Sequence, residues 1–169
     1  MTALALILLA VTAIAPLVLS AKRIPTWIAP VVTTLALGGS ALAATATRPV
    51  TGFALGATLV IAVAAAATGG APLVLAAFRI ARRRSESGAR PDEGPLRGGR
   101  TIGVLERVAV AVAILSGWPE GLAIVLAVKG LARYPELREP HASEQFIIGT
   151  FTSVLYAVAV TGVAQALIT

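Results

Sequence analysis

The chain has 169 residues, of which 57% are hydrophobic and 13% charged, with a formal net charge of +6 and a mean hydropathy of +0.87. This balance lies outside that of soluble domains and is typical of integral membrane proteins. No cysteine and one histidine are present, which excludes a disulfide, a thiolate nucleophile and a cysteine-ligated metal site. We expect one all-α membrane domain that holds no metal or cofactor and binds no nucleic acid.

Four stretches carry no charged side chain and are long enough to cross a bilayer core, which takes about 20 residues. They are residues 1–21, 24–47, 49–78 and 145–169, and two shorter apolar runs lie between the last two. The first stretch lacks the basic start of a secretory signal and is interpreted as a retained span. Together the runs predict a bundle of six transmembrane helices near 3–20, 26–46, 51–69, 102–117, 120–133 and 144–167.

The basic residues are concentrated in alternate loops between the predicted spans. The first, third and fifth loops and the helix ends beside them contain Lys22, Arg23, Arg79, Arg82, Arg83, Arg84, Arg90, Arg97, Arg100, Arg133 and Arg138, whereas the second and fourth loops contain only Arg48. Cytoplasmic loops are enriched in Lys and Arg. The pattern therefore predicts a multi-pass membrane protein with both termini outside.

The third segment is too long for one straight span. Residues 49–78 would form a helix of about 45 Å, against a bilayer core of about 30 Å. Gly69, Gly70 and Pro72 favour a bend, after which residues 71–84 could form an interfacial helix on the inner surface. The alternative is one tilted span with its arginines at the interface. Residues 1–84 and 101–169 then form two three-span halves of one domain, joined by a flexible basic linker at 85–100.

Small residues at four-residue spacing predict where helices pack closely, since helix association in lipid depends on close backbone contact. Such pairs occur at Gly52 and Gly56 in span three and at Gly39 and Ala43 in span two. Span six has the longest row and is expected to pack centrally: Gly149, Ser153, Ala157 and Thr161.

Charge interrupts the apolar pattern in spans four and five. Glu106 and Arg107 lie one to two turns inside the predicted inner face, and Lys129 lies about one turn inside it. A short carboxylate cannot reach the interface and needs a partner. Since the two spans are antiparallel neighbours, we predict a structural ion pair between Glu106 and Lys129, with Glu106 facing inward and Arg107 about 100° away.

The remaining positive charge near this pair suggests an anion site. Arg100, Arg107, Lys129 and Arg133 outnumber the carboxylate, and the N-termini of spans four and six lie at the same face. Phospholipid headgroups are the nearest phosphates in a membrane. We therefore hypothesise that these four residues bind an anionic phospholipid headgroup.

Residues 98–153 resemble the C-terminal part of an uncharacterised family of small bacterial membrane proteins, a domain of unknown function. That family has a pattern like G-R-x-I-G-x-L-E-R, then K-S-x-x-R-F, then E-Y-x-L-I-G-T-x-x-S. The matching positions are Gly99, Arg100, Ile102, Gly103, Leu105, Glu106, Arg107, Lys129, Arg133, Glu144, Ile148, Gly149, Thr150 and Ser153. Gly130 and Tyr134 depart from the pattern. The resemblance implies a shared inner-face charged cluster, without an activity.

The same resemblance adds Glu144, Thr150 and Ser153 as secondary candidates. Glu144 follows Ser143 and would stabilise the first turn of span six against the helix dipole. Thr150 and Ser153 would lie at the depth of Glu106, where hydroxyls commonly bond to carbonyls of their own helix.

Three function classes remain. We expect a noncatalytic component that binds lipid headgroups or serves as an accessory subunit, as a homo-oligomer or with a membrane protein partner. The alternatives are a membrane enzyme acting on a phosphate-bearing lipid at the cytoplasmic face, with Glu106 as acid or base, and a small proton- or anion-coupled transporter. One deep carboxylate and no nucleophile with a base disfavour the enzyme, and no obvious internal repeat supports the transporter.

Overall fold

The computed structural model describes residues 1–21, 24–84 and 99–169, and these residues form helices without strands. Lys22, Arg23 and residues 85–98 of the predicted linker lie outside them. The helices are α1 (Thr2–Ala21), α2 (Ile28–Ala44), α3 (Phe53–Arg84), α4 (Gly99–Leu115), α5 (Gly121–Ala132) and α6 (Pro140–Ile168), with a short 3-10 helix at Glu136–Arg138. The predicted all-α class is confirmed.

Three helices in the described part of the chain are long and apolar enough to cross a membrane. They cover Thr2–Ser20, Phe53–Arg82 and Ala142–Ile168, while α2 and α5 are shorter apolar helices. Large apolar side chains such as Leu35, Leu42 and Val60 are at least 70% exposed on the outside of the bundle. In water such a surface would be unfavourable, so the structure indicates a membrane protein.

Consecutive helices alternate in direction. Ser40 Oγ of α2 donates a hydrogen bond to Ala5 O of α1 at 2.9 Å, which pairs the end of one helix with the start of the other. Val50 N donates to Leu167 O at 2.8 Å. One end of the bundle therefore carries the loops near residues 45–52 and 116–120. The other carries the ends of α1, α3 and α5 and the starts of α2, α4 and α6, and is called the basic end below.

The predicted break in the third segment is absent. α3 continues without interruption through Gly69, Gly70 and Pro72 to Arg84. A proline inside a helix removes its own N–H, here the donor to Thr68 O, and its ring crowds that carbonyl, yet α3 is helical on both sides of Pro72. The helix therefore corresponds to the alternative of one long span, and 71–84 is not a separate helix.

Small residues fill the contact between α3 and α6, both of which also contact α4. The fully buried side chains there include Ala62, Ala65, Ala66, Ala157 and Thr161. Thr161 Oγ1 donates to Ala157 O in its own helix at 2.9 Å, so the hydroxyl is satisfied. Span six is thus packed along its predicted row.

The other small-residue pairs differ from each other. A Cβ at Gly39 would lie 3.1 Å from Leu8 Cδ1, so this glycine permits close packing of α2 on α1. Gly52 and Gly56 do not form a packing face, contrary to the prediction. Gly52 precedes α3 in a turn with φ of +59°, and a Cβ at Gly56 would meet no atom within 4 Å.

Candidate functional site

Glu106 and Lys129 contact each other across the α4–α5 interface. Lys129 Nζ donates a hydrogen bond to Glu106 Oε2, and the side chains of Lys129 and Glu106 are only 20% and 14% exposed, respectively. The ring of Phe146 on α6 has its centroid 5.7 Å from Nζ, within the range of a cation–π contact. The pair therefore lies where α4, α5 and the start of α6 meet, and its charges neutralise each other.

Arg107 is buried more deeply than Glu106, with 4% of its surface exposed. Its Nε donates to Ala66 O at 2.9 Å, and its Nη2 donates to Ala67 O at 2.6 Å, both in α3. Its Nη1 donates to Ser153 Oγ of α6 at 3.1 Å. One guanidinium group thus joins α4 to α3 and α6 about 12 Å along α4 from Gly99.

Two glycines of α3 leave room for side chains from other helices: Gly70 for Arg107 and Gly69 for Tyr156. A Cβ at Gly70 would lie 2.6 Å from Arg107 Cδ and 2.8 Å from Nε, and a Cβ at Gly69 would lie 1.9 Å from the hydroxyl of Tyr156. In a helix each side chain leans over the preceding turn. Without side chains at 69 and 70, the carbonyl oxygens of Ala65, Ala66 and Ala67 are open to donors from other helices.

Tyr156 uses the same opening from α6. Its hydroxyl donates to Ala65 O at 3.1 Å, and the residue is 5% exposed. Thr68 Oγ1 donates to Ala13 O of α1 at 2.7 Å. The segment 65–68 of α3 therefore has polar contacts with α1, α4 and α6. We call the three carbonyl oxygens of Ala65–Ala67 the carbonyl patch.

The other two cations of the predicted anion site lie at the ends of their helices. Arg100 is exposed in the first turn of α4, and Arg133 is half-buried beyond the end of α5. Arg107 and Lys129 of the predicted anion site have separate partners, because Arg107 donates to α3 and α6 while Lys129 donates to Glu106. Their contacts therefore differ, although both lie inside the bundle.

The secondary candidates also have different environments. Ser153 accepts a hydrogen bond from Arg107, whereas the buried Thr150 Oγ1 has no partner among the described residues. Glu144 is exposed. The helix α6 begins one turn earlier than predicted, at Pro140 after the N-cap residue Glu139, so Glu144 lies beyond the first turn. The predicted first-turn role of Glu144 is wrong for this reason.

Comparisons with protein-family models, curated proteins and solved structures find no match. In the described part of the chain, no group of three His, Asp or Glu side chains could hold a metal ion.

The site also contains four residues that the sequence pattern does not predict: Gly69, Gly70, Tyr156 and Phe146. The glycine pair predicts a helix end, and nothing in its local sequence distinguishes that role from an opening for an arginine. Two adjacent glycines in one apolar helix, together with an arginine deep in another, are the sequence feature that could have predicted this contact. Such an arginine needs acceptors, and uncovered carbonyl oxygens supply them.

Arginines at the basic end are placed differently from Arg107. Arg79, Arg82, Arg100 and Arg138 are exposed, and Arg138 lies 5.7 Å from the ring centroid of Tyr134. At the opposite end, the exposed cation among the described side chains is Arg48. The guanidinium donors that a ligand could reach are therefore concentrated at one end of the bundle.

Proposed function

We propose that this chain is a noncatalytic, multi-pass protein of the bacterial cytoplasmic membrane whose basic end binds anionic phospholipid headgroups. All six helices cross or enter the bilayer in this proposal, and both termini lie outside. The observation that carries it is the exposure of Arg79, Arg82, Arg100 and Arg138 at one end of the bundle, whereas Arg48 is the exposed arginine at the other end of the described chain. Basic residues near the membrane surface attract anionic lipids by about 1 kcal/mol each.

The interior cations already have protein partners, which favours ligand binding at the surface over catalysis or transport inside the bundle. Arg107 is held by two carbonyl oxygens and Ser153, and Lys129 is held by Glu106. A substrate or transported anion would have to displace these contacts between largely buried charged groups, which is energetically costly. The exposed arginines need no such displacement, so they are the preferred ligand contacts.

The proposed headgroup contacts include two of the four residues that the sequence predicts for an anion site. Arg100 stays in the proposal because it is exposed, and Arg133 stays as a half-buried neighbour at the same end. Arg107 and Lys129 are reassigned to holding helices together. Glu106 then neutralises Lys129 and has no acid–base role.

The test is lipid selectivity of the purified protein. Wild-type protein and a variant with Arg79→Gln, Arg82→Gln, Arg100→Gln and Arg138→Gln are reconstituted into bilayers of phosphatidylcholine with a minor fraction of phosphatidylglycerol. Native mass spectrometry then measures the lipids that stay bound after release. We expect enrichment of phosphatidylglycerol on the wild type and its loss in the fourfold variant.

Arg48→Gln is the matched control, because it removes an exposed arginine from the opposite end. It should leave the enrichment unchanged. Equal enrichment on the wild type and the fourfold variant would overturn the proposal. Circular dichroism of each variant checks that the helices are retained, so a folding defect is recognised separately.

A further inference from the structure

We propose that a groove between α2 and α3 seats one anionic phospholipid, with its phosphate on Arg79 and one acyl chain against the apolar walls. This inference rests on the proposed function and names one of its lipid sites. The walls are formed by Trp27, Val31 and Leu35 on one side and by Ala76, Arg79 and Ile80 on the other. The groove opens on the outside of the bundle, where lipid would lie.

Charge complementarity selects a lipid with a negative headgroup. Arg79 is exposed and has no hydrogen-bond or ion-pair partner within residues 1–21, 24–84 and 99–169. No acidic side chain lines the groove. A phosphate beside Arg79 would therefore find guanidinium donors without a competing protein carboxylate.

The height of the groove matches the headgroup boundary at one end. Trp27 and Arg79 lie at the basic end, and tryptophan side chains prefer the level of lipid headgroups. From Trp27 to Leu35 the groove extends about 12 Å along the helix direction. A phosphate at Arg79 thus places the attached acyl chain along Val31 and Leu35.

Thr34 is the hydroxyl residue that lines the groove, and its hydroxyl group is not available to a ligand. Thr34 Oγ1 donates to Pro30 O in its own helix at 2.8 Å, so the hydroxyl is satisfied. Leu35 is 70% exposed and Ile80 59% exposed. Contact with an acyl chain suits these surfaces, whereas a soluble phosphate could use Arg79 alone.

The two tryptophans of the chain allow a site-resolved test. Trp27 lies in the groove and Trp118 lies at the opposite end of the bundle. Trp118→Phe leaves Trp27 as the only tryptophan, and Trp27→Phe leaves Trp118. Each variant is reconstituted in phosphatidylcholine and titrated with phosphatidylglycerol or phosphatidylcholine carrying brominated acyl chains, which quench nearby tryptophan.

We expect brominated phosphatidylglycerol to quench Trp27 at about fivefold lower mole fraction than brominated phosphatidylcholine. Arg79→Gln in the Trp118→Phe background should remove this preference. Ala76→Phe should fill the groove and weaken quenching by both lipids. Trp118 should show no headgroup preference.

Two negative results have different meanings. If Trp27 shows no preference while the fourfold arginine variant still loses phosphatidylglycerol, the groove site is wrong and the proposed function stands. If neither measurement shows a preference, both are wrong. Quenching of Trp27 that prefers phosphatidylglycerol equally with and without Arg79 would also overturn the groove site.

Discussion

Arg107 lies directly over Gly70, and its Nε and Nη2 reach carbonyl oxygens that a side chain at this position would cover. A Cβ at Gly70 would lie 2.6 Å from Arg107 Cδ, closer than non-bonded carbon atoms approach each other. Cδ lies in the middle of the arginine side chain, which is fixed at one end by the backbone of α4 and at the other by the hydrogen bonds of the guanidinium group. The glycine and the arginine therefore depend on each other for their positions.

Gly70→Ala should destabilise the bundle because Arg107 must move away from the carbonyl patch. Overpacking of this kind costs about 1 to 3 kcal/mol. The measurement is thermal unfolding in detergent, followed by far-ultraviolet circular dichroism. Gly56→Ala in the same helix is the control, since its Cβ would meet no atom within 4 Å. Equal midpoints for the two variants would contradict the contact between Gly70 and Arg107.

Arg107→Lys should destabilise the protein even though it keeps the charge. A lysine has one ammonium group and cannot reproduce the three directions in which Arg107 donates to Ala66, Ala67 and Ser153. Losing hydrogen bonds of a charged group costs about 1.5 to 3 kcal/mol. Arg100→Lys, in the exposed first turn of α4, should leave the unfolding midpoint unchanged. The prediction fails if both lysine variants unfold like the wild type.

The Glu106–Lys129 pair should show coupling in a double-mutant cycle. Glu106→Gln leaves the Lys129 ammonium without its carboxylate, and Lys129→Met leaves the Glu106 carboxylate without its ammonium. Each single variant should therefore be less stable than the double variant, with a coupling energy of about 1 kcal/mol or more. The readout is the free energy of unfolding in detergent. Additive effects would show that the contact contributes nothing beyond its separate groups.

A second cycle with Glu106→Gln and Arg48→Gln provides the control. Arg48 lies at the opposite end of the bundle, so the two effects should add within about 0.5 kcal/mol. Coupling in this cycle would indicate a global change in the protein and would invalidate the first comparison.

Helix positions were predictable because apolar runs and their charged boundaries carry the signal. The observed α6, Pro140–Ile168, begins four residues before the predicted span 144–167 and ends one residue after it. The exception is α3, which continues to Arg84 although the predicted span ends at 69. The contact between Glu106 and Lys129 was also predictable. A short turn makes α4 and α5 antiparallel neighbours, and Glu106 and Lys129 lie at similar distances from that turn along the chain. Both inferences need only distances along the chain.

The environment of Arg107 was not predictable in the same way. It depends on which face of α3 meets α4, and α3 is separated from α4 by residues outside the described part of the chain. Gly69 and Gly70 have the same local pattern whether a helix ends there or receives an arginine. Only the packing of three helices distinguishes these cases.

The proposed topology predicts opposite locations for Arg48 and Arg138. Three helices, α3, α4 and α5, separate these positions, so in the six-span arrangement they lie on different sides of the membrane. The chain has no cysteine, so Arg48→Cys and Arg138→Cys can be labelled without background. A membrane-impermeant maleimide should label Arg48→Cys in intact bacterial cells and Arg138→Cys only after permeabilisation, because Lys and Arg accumulate on the cytoplasmic side.

The unsubstituted chain is the control for labelling of other proteins, and labelling of both variants after permeabilisation verifies that each cysteine is accessible. If α4 and α5 crossed together as a single span, two crossings would separate the positions, and both variants would behave alike. Labelling of both in intact cells, or of neither, would therefore exclude six spans. The reverse pattern would keep the alternation but place the basic end outside, which removes it from the anionic cytoplasmic leaflet that the lipid proposal requires.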